Sequence, residues 1–375
     1  MRRVDSLLRF ATTSLVLVGL VILYSTSSAR SSDPHFFLKR QLTWLFLIGI
    51  PSFYFVSILD YRIWRRWCWS LLGVSALLLI LVLIPGIGIR VKGSARWLGF
   101  GPFRMQPSEF AKIAIIAGMA AYMSRYGRQG GQFLKGLVYP LSGLGFFAIL
   151  LLLEPDYGAT AIIGSIGIAI MFAGGTRIGY LLFLGAGGLC AFGALILHNP
   201  NRLARVKAFL SPELYPDQAY HLTQSLYAFY LGGLTGVGLG NSMQKRFYLP
   251  EAHTDFIFAI IAEELGFLAS IAVLLLFVLY FICGMLISFR ASDSFGRLLG
   301  FGITMMIGLQ AAVNIAVVTG LAPTKGLALP FISYGGSNLI SSLILTAILL
   351  SIARCSDPDT AQSARAKAKD RLRHG

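Results

Sequence analysis

Most side chains in this 375-residue sequence that could do chemistry fall in four short polar segments. The first, Ile89 to Lys112, reads IRVKGSARWLGFGPFRMQPSEFAK and sets Arg90, Lys92, Arg96 and Arg104 ahead of Glu109 and Lys112, which stand one helical turn apart. Arginine and lysine grouped in this way suit a pyrophosphate or another polyanion, because both make charge-assisted hydrogen bonds to phosphate oxygens. A structural explanation also exists: an i,i+3 ion pair at a helix start, with the arginines merely solvated. Solvation suffices for Arg90 and Arg104. Arg96, Glu109 and Lys112 are the stronger site candidates, since ionisable groups at or inside an apolar span are costly and mark pathways or sites.

The second segment, Glu154-Pro155-Asp156-Tyr157, puts two carboxylates in one tight turn. Pro and Asp are turn formers, so structure and function account for it equally well. The third runs from Glu251 through Ala252, His253 and Thr254 to Asp255, at the start of a long apolar stretch. Thr254 or Asp255 can cap a helix there, and the helix dipole favours a carboxylate. The same dipole lowers its pKa, so a general base working near neutral pH needs burial or a second carboxylate to raise it again. His253 has no partner at ligand spacing and is a weak metal signal; it assists Asp255 or lines the loop. In the fourth segment, TGLAPTKGLALPFISYGGSN, Pro323, Pro330, Gly335 and Gly336 forbid a continuous helix. Irregular backbone at membrane depth is tolerated only where protein buries it or it lines a cavity, which makes Lys325, Ser333 and Tyr334 candidates for a cavity wall.

The elements that must hold these segments are membrane spans. The chain is 56% hydrophobic and 13% charged, against roughly 25% charged in soluble domains, which excludes an ordinary soluble enzyme. Ten segments reach the length of about 20 apolar residues that a spanning helix needs: 8–29, 41–59, 68–85, 108–124, 137–153, 158–174, 179–198, 256–288, 298–318 and 337–353. They predict an all-α, polytopic single membrane domain over 1–375, with long external loops at 86–107 and 199–255 and a tail at 354–375. Arg2, Arg3 and the apolar run to Tyr24 resemble a signal peptide, but Ser27 to Ala29 is a poor cleavage site, so an uncleaved first span is expected. Lysines and arginines are denser on the side that holds both termini, which places both in the cytoplasm. A net charge of +16 would ordinarily suggest nucleic acid; here the charges sit in short clusters between apolar runs, and no nucleic acid is expected. Trp64, Trp67 and Trp69 read as interfacial anchors. The four cysteines show neither a disulfide framework nor a zinc spacing.

Within 199–255, YHLTQSLYAFYLGGL places Leu222, Leu226, Phe229, Tyr230 and Gly233 on one helical face opposite Gln224 and Ser225, as in a helix lying in or dipping into the interface. Gln224 joins the candidate substrate contacts. Gly236, Gly238 and Gly240 do not match a nucleotide-binding glycine pattern and read as closely approaching backbone. Segment 255–288 is too long for one simple span. The stretch after Gly266 can cross alone, which puts Glu263 and Glu264 near the external interface, unburied.

KGSARWLGFGPFRMQPSEFAK, EPDYGAT, YLPEAHTDFIFAIIAEELGF and GLAPTKGLALPFISYGGS together resemble the bacterial SEDS family, which includes FtsW and RodA. GLTGVGLGNSMQK and TKGLALP are closer to the division-type FtsW group. The resemblance implies a SEDS fold in the bacterial cytoplasmic membrane, at the division septum. It further implies a peptidoglycan glycosyltransferase that polymerises lipid II into undecaprenyl-diphosphate-linked glycan, working with a class B penicillin-binding transpeptidase and other divisome proteins. Asp255 matches the family's essential aspartate, and Arg96, Glu109 and Lys112 match sensitive positions. Such a reaction needs a base for a hydroxyl proton, cations for a departing diphosphate and a lateral groove for lipid. Asp255 is assigned as base, and Arg96 and Lys112 as diphosphate or Asp-tuning cations. Glu154, Asp156, Gln224, Glu251, His253, Lys325 and Ser333 are further contacts. No protein-held metal is assigned, and a divalent cation, Mg2+ or Mn2+, remains open as an aid. A lipid II flippase or other transporter, an elongation-type RodA polymerase and a recruiting scaffold are the competing readings.

Overall fold

The computed structural model describes residues 2–27, 35–91, 94–100 and 103–356. Lys92, Ala29 of the weak cleavage site and residues 357–375, most of the basic tail, lie outside the described residues. Among the described residues, all ten apolar segments are largely helical. They form α1 (Arg2–Ser27), α2 (Phe36–Trp44) and α3 (Ile50–Ile58) joined by a π-helical turn, α4 (Arg62–Leu83), α5 (Pro107–Tyr126), α6 (Tyr139–Leu153), α7 (Tyr157–Ala173) and α8 (Ile178–Leu197). Helices α9 (Pro200–Leu210) and α10 (Pro216–Gly232) follow, then α11 (Ile257–Phe289), α12 (Ser294–Val318) and α13 (Gly336–Cys355).

Eight of the apolar segments are long and apolar enough to cross a bilayer, while α7 is a shorter apolar helix. The departure at α5 has a physical cause. With Glu109 and Lys112 in its first turns, this helix is too polar to face lipid, and it is buried along almost its whole length against α4, α7, α12 and α13. The bundle centre is α13, whose Ser337, Asn338, Ser341, Ser342, Thr346 and Ser351 are all buried. Small polar residues of this kind let helices approach closely and bond across the contact where lipid supplies no hydrophobic drive. At the periphery α8 buries only Leu181. Trp67 and Trp69 are exposed, as interfacial anchors must be.

The loop after α4 adds a small sheet to the otherwise helical chain. It forms a three-stranded antiparallel sheet of β1 (Gly88–Val91), β2 (Ser94–Phe100) and β3 (Phe103–Met105), in that order, with Ile89 opposite Trp97 and Gly99 opposite Arg104. Its alternation is too short to stand out beside helical spans, yet each strand pairs residues of high β propensity across Gly-containing connections. On α10 the buried face is Ala219, Leu222, Ser225, Ala228 and Gly232. Ser225 therefore faces protein, donating to the Val318 carbonyl at 2.7 Å, while Leu226 and Tyr230 are exposed. Small residues thus make most of the helix contact, and Leu226 and Tyr230 are left facing away from the bundle.

The long segment is broken where its length demands. Gly266 has φ 81° and ψ −177°, so the part of α11 that begins beside Asp255 is a half-helix. Backbone groups freed by the break find partners in the glycine-rich loop: Val237 N donates to Glu263 O at 2.9 Å, Gly238 N to Glu264 O at 3.0 Å and Phe267 N to Gly233 O at 2.9 Å. A Cβ on Gly266 would stand 2.4 Å from Gly236 N and 2.5 Å from Leu234 O. Gly266→Ala is expected to cost on the order of 1–3 kcal/mol in backbone strain alone, with the overlap adding to it. Thermal unfolding in detergent should show a clearly lowered midpoint; an unchanged midpoint would mean that the break does not depend on glycine.

Candidate active site

The irregular segment between α12 and α13 is held by side chains on both sides. Gln310 donates to Ala328 O at 2.8 Å. Four residues further along α12, Asn314 donates to Leu327 O at 2.5 Å and to Asp255 O at 2.8 Å. One amide thus ties the irregular segment to the turn that precedes α11. The clasp continues with Ser333, whose hydroxyl donates to Thr254 O at 2.6 Å and accepts from Leu329 N at 2.7 Å, and with Tyr334 N, which donates to His253 O at 3.0 Å. Gln41 on α2 accepts from Gly335 N at 3.2 Å.

This frame places the Asp255 carboxylate against Gly326, where a Cβ would stand 2.6 Å from Oδ2. Only a glycine permits that approach. Asp255 does not explain itself as a cap: the residue ahead of α11 is Phe256, and no side chain caps that end. Thr254 instead turns back and donates to Glu251 Oε2 at 2.9 Å. Glu251 takes a left-handed φ of 59° and its carbonyl accepts from Thr254 N and Phe256 N, so it shapes the turn. His253 stacks on Phe37 with ring centroids 4.0 Å apart, lining the loop. Ser333 is 1% exposed, and its engaged hydroxyl positions the Asp255 turn.

A second cluster surrounds the Glu154-Asp156 turn. Arg96 on β2 reaches across and donates to Glu154 O at 3.2 Å and Pro155 O at 2.5 Å. Asp156 caps α7 by accepting from Ala159 N at 3.2 Å, with Gln106 and Ser108 each 3.5 Å from its Oδ2. Lys325, next to Gly326, donates to Tyr157 O at 3.1 Å. Burial lowers the pKa of its ammonium, Asp156 opposes that shift and Arg202 reinforces it. Glu154 is 0% exposed and neither carboxylate oxygen has a hydrogen-bond partner. Burial first, and Asp156 second, push its pKa up to about 8 against the pull of Arg96. At pH 7 it is mostly a neutral acid.

Glu109 and Lys112 lie inside the bundle. Lys112, 3% exposed, donates to Glu109 Oε1 at 2.7 Å and to Gln310 Oε1 at 3.2 Å, while Ser341 donates to Glu109 Oε2 at 3.0 Å. Through Gln310 the pair supports the irregular segment from below. The ammonium of Lys112, expected to meet the diphosphate or to tune Asp255, is enclosed by these partners. Glu263 and Glu264 also differ from the expectation of unburied carboxylates. Glu264 accepts from Lys245 at 2.7 Å and Ser25 at 2.6 Å, and Glu263 accepts from Met243 N at 2.8 Å and from the Ser242 hydroxyl. Folding of 242–248 over the half-helix buries both. Gln224 is half-buried on α10 and takes no part in either cluster among the described residues. Arg90 and Arg104 are exposed.

Sequence reasoning missed Gln310, Asn314, Lys245 and Arg202. Polar residues one turn apart in an otherwise apolar span were the available signal for Gln310 and Asn314; Lys245 and Arg202 carried none. No group of three or more His, Cys, Asp or Glu side chains among the described residues converges to hold a metal. An apolar groove of about 530 Å³ opens between α6 and α8, lined by Phe133, Leu137, Leu141, Tyr180 and Phe183 among others.

The family model described as cell cycle protein, for the FtsW, RodA and SpoVE group, matches residues 5–357. The chain belongs to this family. Among its family relatives, a probable peptidoglycan glycosyltransferase FtsW of Trichlorobacter lovleyi is 45% identical over 358 residues, covering 93% of each chain. Stage V sporulation protein E of Bacillus subtilis is 43% identical over 359 residues, covering 94% of this chain and 97% of that one. Of solved structures, a chain from a study of polymerization and crosslinking by a peptidoglycan synthase complex superposes with TM-score 0.78 at 28% identity, covering 94% of this chain and 98% of that one. The rod shape determining protein RodA of Thermus thermophilus gives TM-score 0.69 at 27% identity, covering 93% and 96%. Family membership and the apolar helices together make the chain an integral membrane protein.

Two stability experiments test this geometry. Lys112→Met leaves Glu109 buried without its cation and should destabilise by about 3–5 kcal/mol, whereas Glu109→Leu with Lys112→Met should recover much of that loss. Unfolding of the three proteins in one detergent decides it, and a double variant no better than the single would count against the pair. For Glu154, the folded value near 8 lies above the ordinary 4.5. As pH rises the unfolded chain loses this proton first, so the group's contribution is full below about 4.5 and declines until about 8. Glu154→Gln should therefore melt higher than the parent above pH of about 8, with the gap closing below about 5; a pH-independent gap would contradict the neutral acid.

Proposed function

We propose that Asp255 is the general base with which this chain, a peptidoglycan glycosyltransferase, polymerises lipid II. The observation that carries this reading is the placement of the Asp255 carboxylate against Gly326, one residue from Lys325, with Asn314 holding both backbones. In the reaction the 4-hydroxyl of one lipid-linked disaccharide attacks the anomeric carbon of another. The hydroxyl proton passes to Asp255, the carbon–oxygen bond to the undecaprenyl diphosphate breaks, and the α-linkage becomes β. A single inversion requires no covalent intermediate. The proton acceptor must reach the attacking hydroxyl, and cations must meet the charge that develops on the departing diphosphate.

Lys325 is the cation of the predicted set closest in sequence to the Asp255 contact, and its ammonium lies in the cluster with Asp156. Arg96 and Lys112 act behind it: Arg96 fixes the turn that carries Asp156, and Lys112 braces the irregular segment through Gln310.

The enzyme works with a class B penicillin-binding transpeptidase and other division proteins, at the septum, with both termini in the cytoplasm. Similarity to a chain of a peptidoglycan synthase complex and to FtsW relatives supports the partner and the site of action, and the basic bias of the loops supports the orientation. A divalent cation carried by the diphosphate itself is compatible with this scheme.

Labelled lipid II incubated with purified wild type and Asp255→Asn, each with and without the transpeptidase, tests the assignment on a gel. Wild type should give glycan ladders and the variant should lose them, a fall of about 100-fold or more, with an unchanged melting midpoint. Ladders retained by the folded variant would remove Asp255 from the mechanism. Absence of ladders in every sample, with lipid II crossing liposomes instead, would replace polymerisation by transport.

A further inference from the structure

The polar turn at 154–157 carries more positive charge than its ion pairs account for. Arg202, near the start of α9, lies with its guanidinium carbon 3.4 Å from the centroid of the Tyr157 ring. Of the five N–H donors of a guanidinium, one binds Leu195 O at 3.1 Å. Among the described residues Arg202 forms no ion pair. Lys325 is fixed on the same residue from another side, through the Tyr157 carbonyl at 3.1 Å, and the two cations are close enough to feel each other's charge. One carboxylate, Asp156, stands against them, and it is already engaged as the cap of α7. Glu154 adds little negative charge, being buried and held mostly protonated. Arg96 adds a third positive charge to the group.

Two cations held near one another on a common anchor, half-buried and with donors to spare, make an unfavourable arrangement until an anion joins them. A stacked guanidinium keeps its fork rigid, so less freedom is lost when it binds two oxygens at once. A diphosphate offers a matching set of acceptors.

We propose that Arg202, stacked on Tyr157 beside Lys325, is a substrate-binding residue that completes a two-cation clamp for the diphosphate of the lipid-linked substrate. The proposal rests on the polymerase reading above and extends it to α9, an element outside the bundle. Because α9 follows α8, which buries only Leu181, the clamp joins the bundle core to its least packed part. Binding of the diphosphate would then hold α9 against the start of α7.

Arg202→Gln and Arg202→Lys, prepared as full-length protein in nanodiscs of uncharged phosphatidylcholine, test the clamp. The half-saturating lipid II concentration should rise about tenfold in Arg202→Gln, and inorganic pyrophosphate should weaken as an inhibitor by a similar factor. Arg202→Lys keeps the charge without the fork and should fall between the two. Unchanged lipid II saturation and pyrophosphate inhibition in folded Arg202→Gln would overturn the proposal; if that variant does not fold, the same two readings on Arg202→Lys decide. Calorimetric binding of pyrophosphate to wild type and variant gives a readout that needs no turnover. A wild type that makes no glycan, yet loses pyrophosphate binding on substitution, would sink the polymerase reading and leave an anion clamp. Adding phosphatidylglycerol to the nanodiscs separates the sources of phosphate: a response of Arg202 to that lipid alone, with none to pyrophosphate, would assign the site to bulk headgroups and overturn the diphosphate assignment.

Discussion

The carbonyl oxygens of Asp255 and Leu327 share one amide, that of Asn314. The arrangement answers a constraint that bilayers impose on every chain: a backbone group without a partner in a water-poor interior costs several kcal/mol. The segment after α12 cannot meet that constraint with its own helix, because its prolines remove donors and its glycines favour other conformations. Gln310, Asn314 and Gln41 supply missing partners from outside, and Ser333 supplies one from within the segment. Since two of those partners also hold the residues around Asp255, satisfying the backbone and positioning the carboxylate are one task.

The same logic explains the buried charges. Lys112 and Glu109 pair beneath the irregular segment, and Lys245 and Glu264 pair beside the half-helix. A buried pair adds little net stability compared with well-packed apolar residues, but removing one partner is expensive. Each pair therefore restrains its surroundings: the first supports Gln310, and the second joins α1, the half-helix and the 242–248 turn. The face that carries Asp255 is assembled from pieces that are far apart in the chain, and polar contacts of this kind specify their register.

The frame of Asp255 is tied through backbone carbonyls, and around Tyr157 cations outnumber ionised carboxylates. Glycosyl transfer from a diphosphate asks for this separation, since the group that accepts a proton and the groups that receive developing negative charge act at different atoms. The Gly326–Lys325 step joins the clusters.

Much of the bundle was legible in the sequence because hydrophobic runs of spanning length admit one solution in lipid, the helix. Pro323, Pro330 and the paired glycines likewise announced an irregular segment, and the length of 255–288 announced a break. The strands of 88–105 were less legible, since short alternation beside long apolar spans carries little signal. Side-chain roles were legible only in part. Asp255 stood out by type and place, but whether it capped α11 depended on the direction of its carboxylate. Glu263 and Glu264 looked exposed because nothing local shows that 242–248 folds over them, and Lys112 looked available because its enclosure needs Gln310 from a helix nearly two hundred positions away. By itself the sequence determined which segments enter the membrane and which must leave the helix, because those outcomes follow from local transfer energies and backbone geometry. Tertiary structure alone decided which charges remain open to a substrate, since burial and pairing are set by the neighbours that the fold brings together.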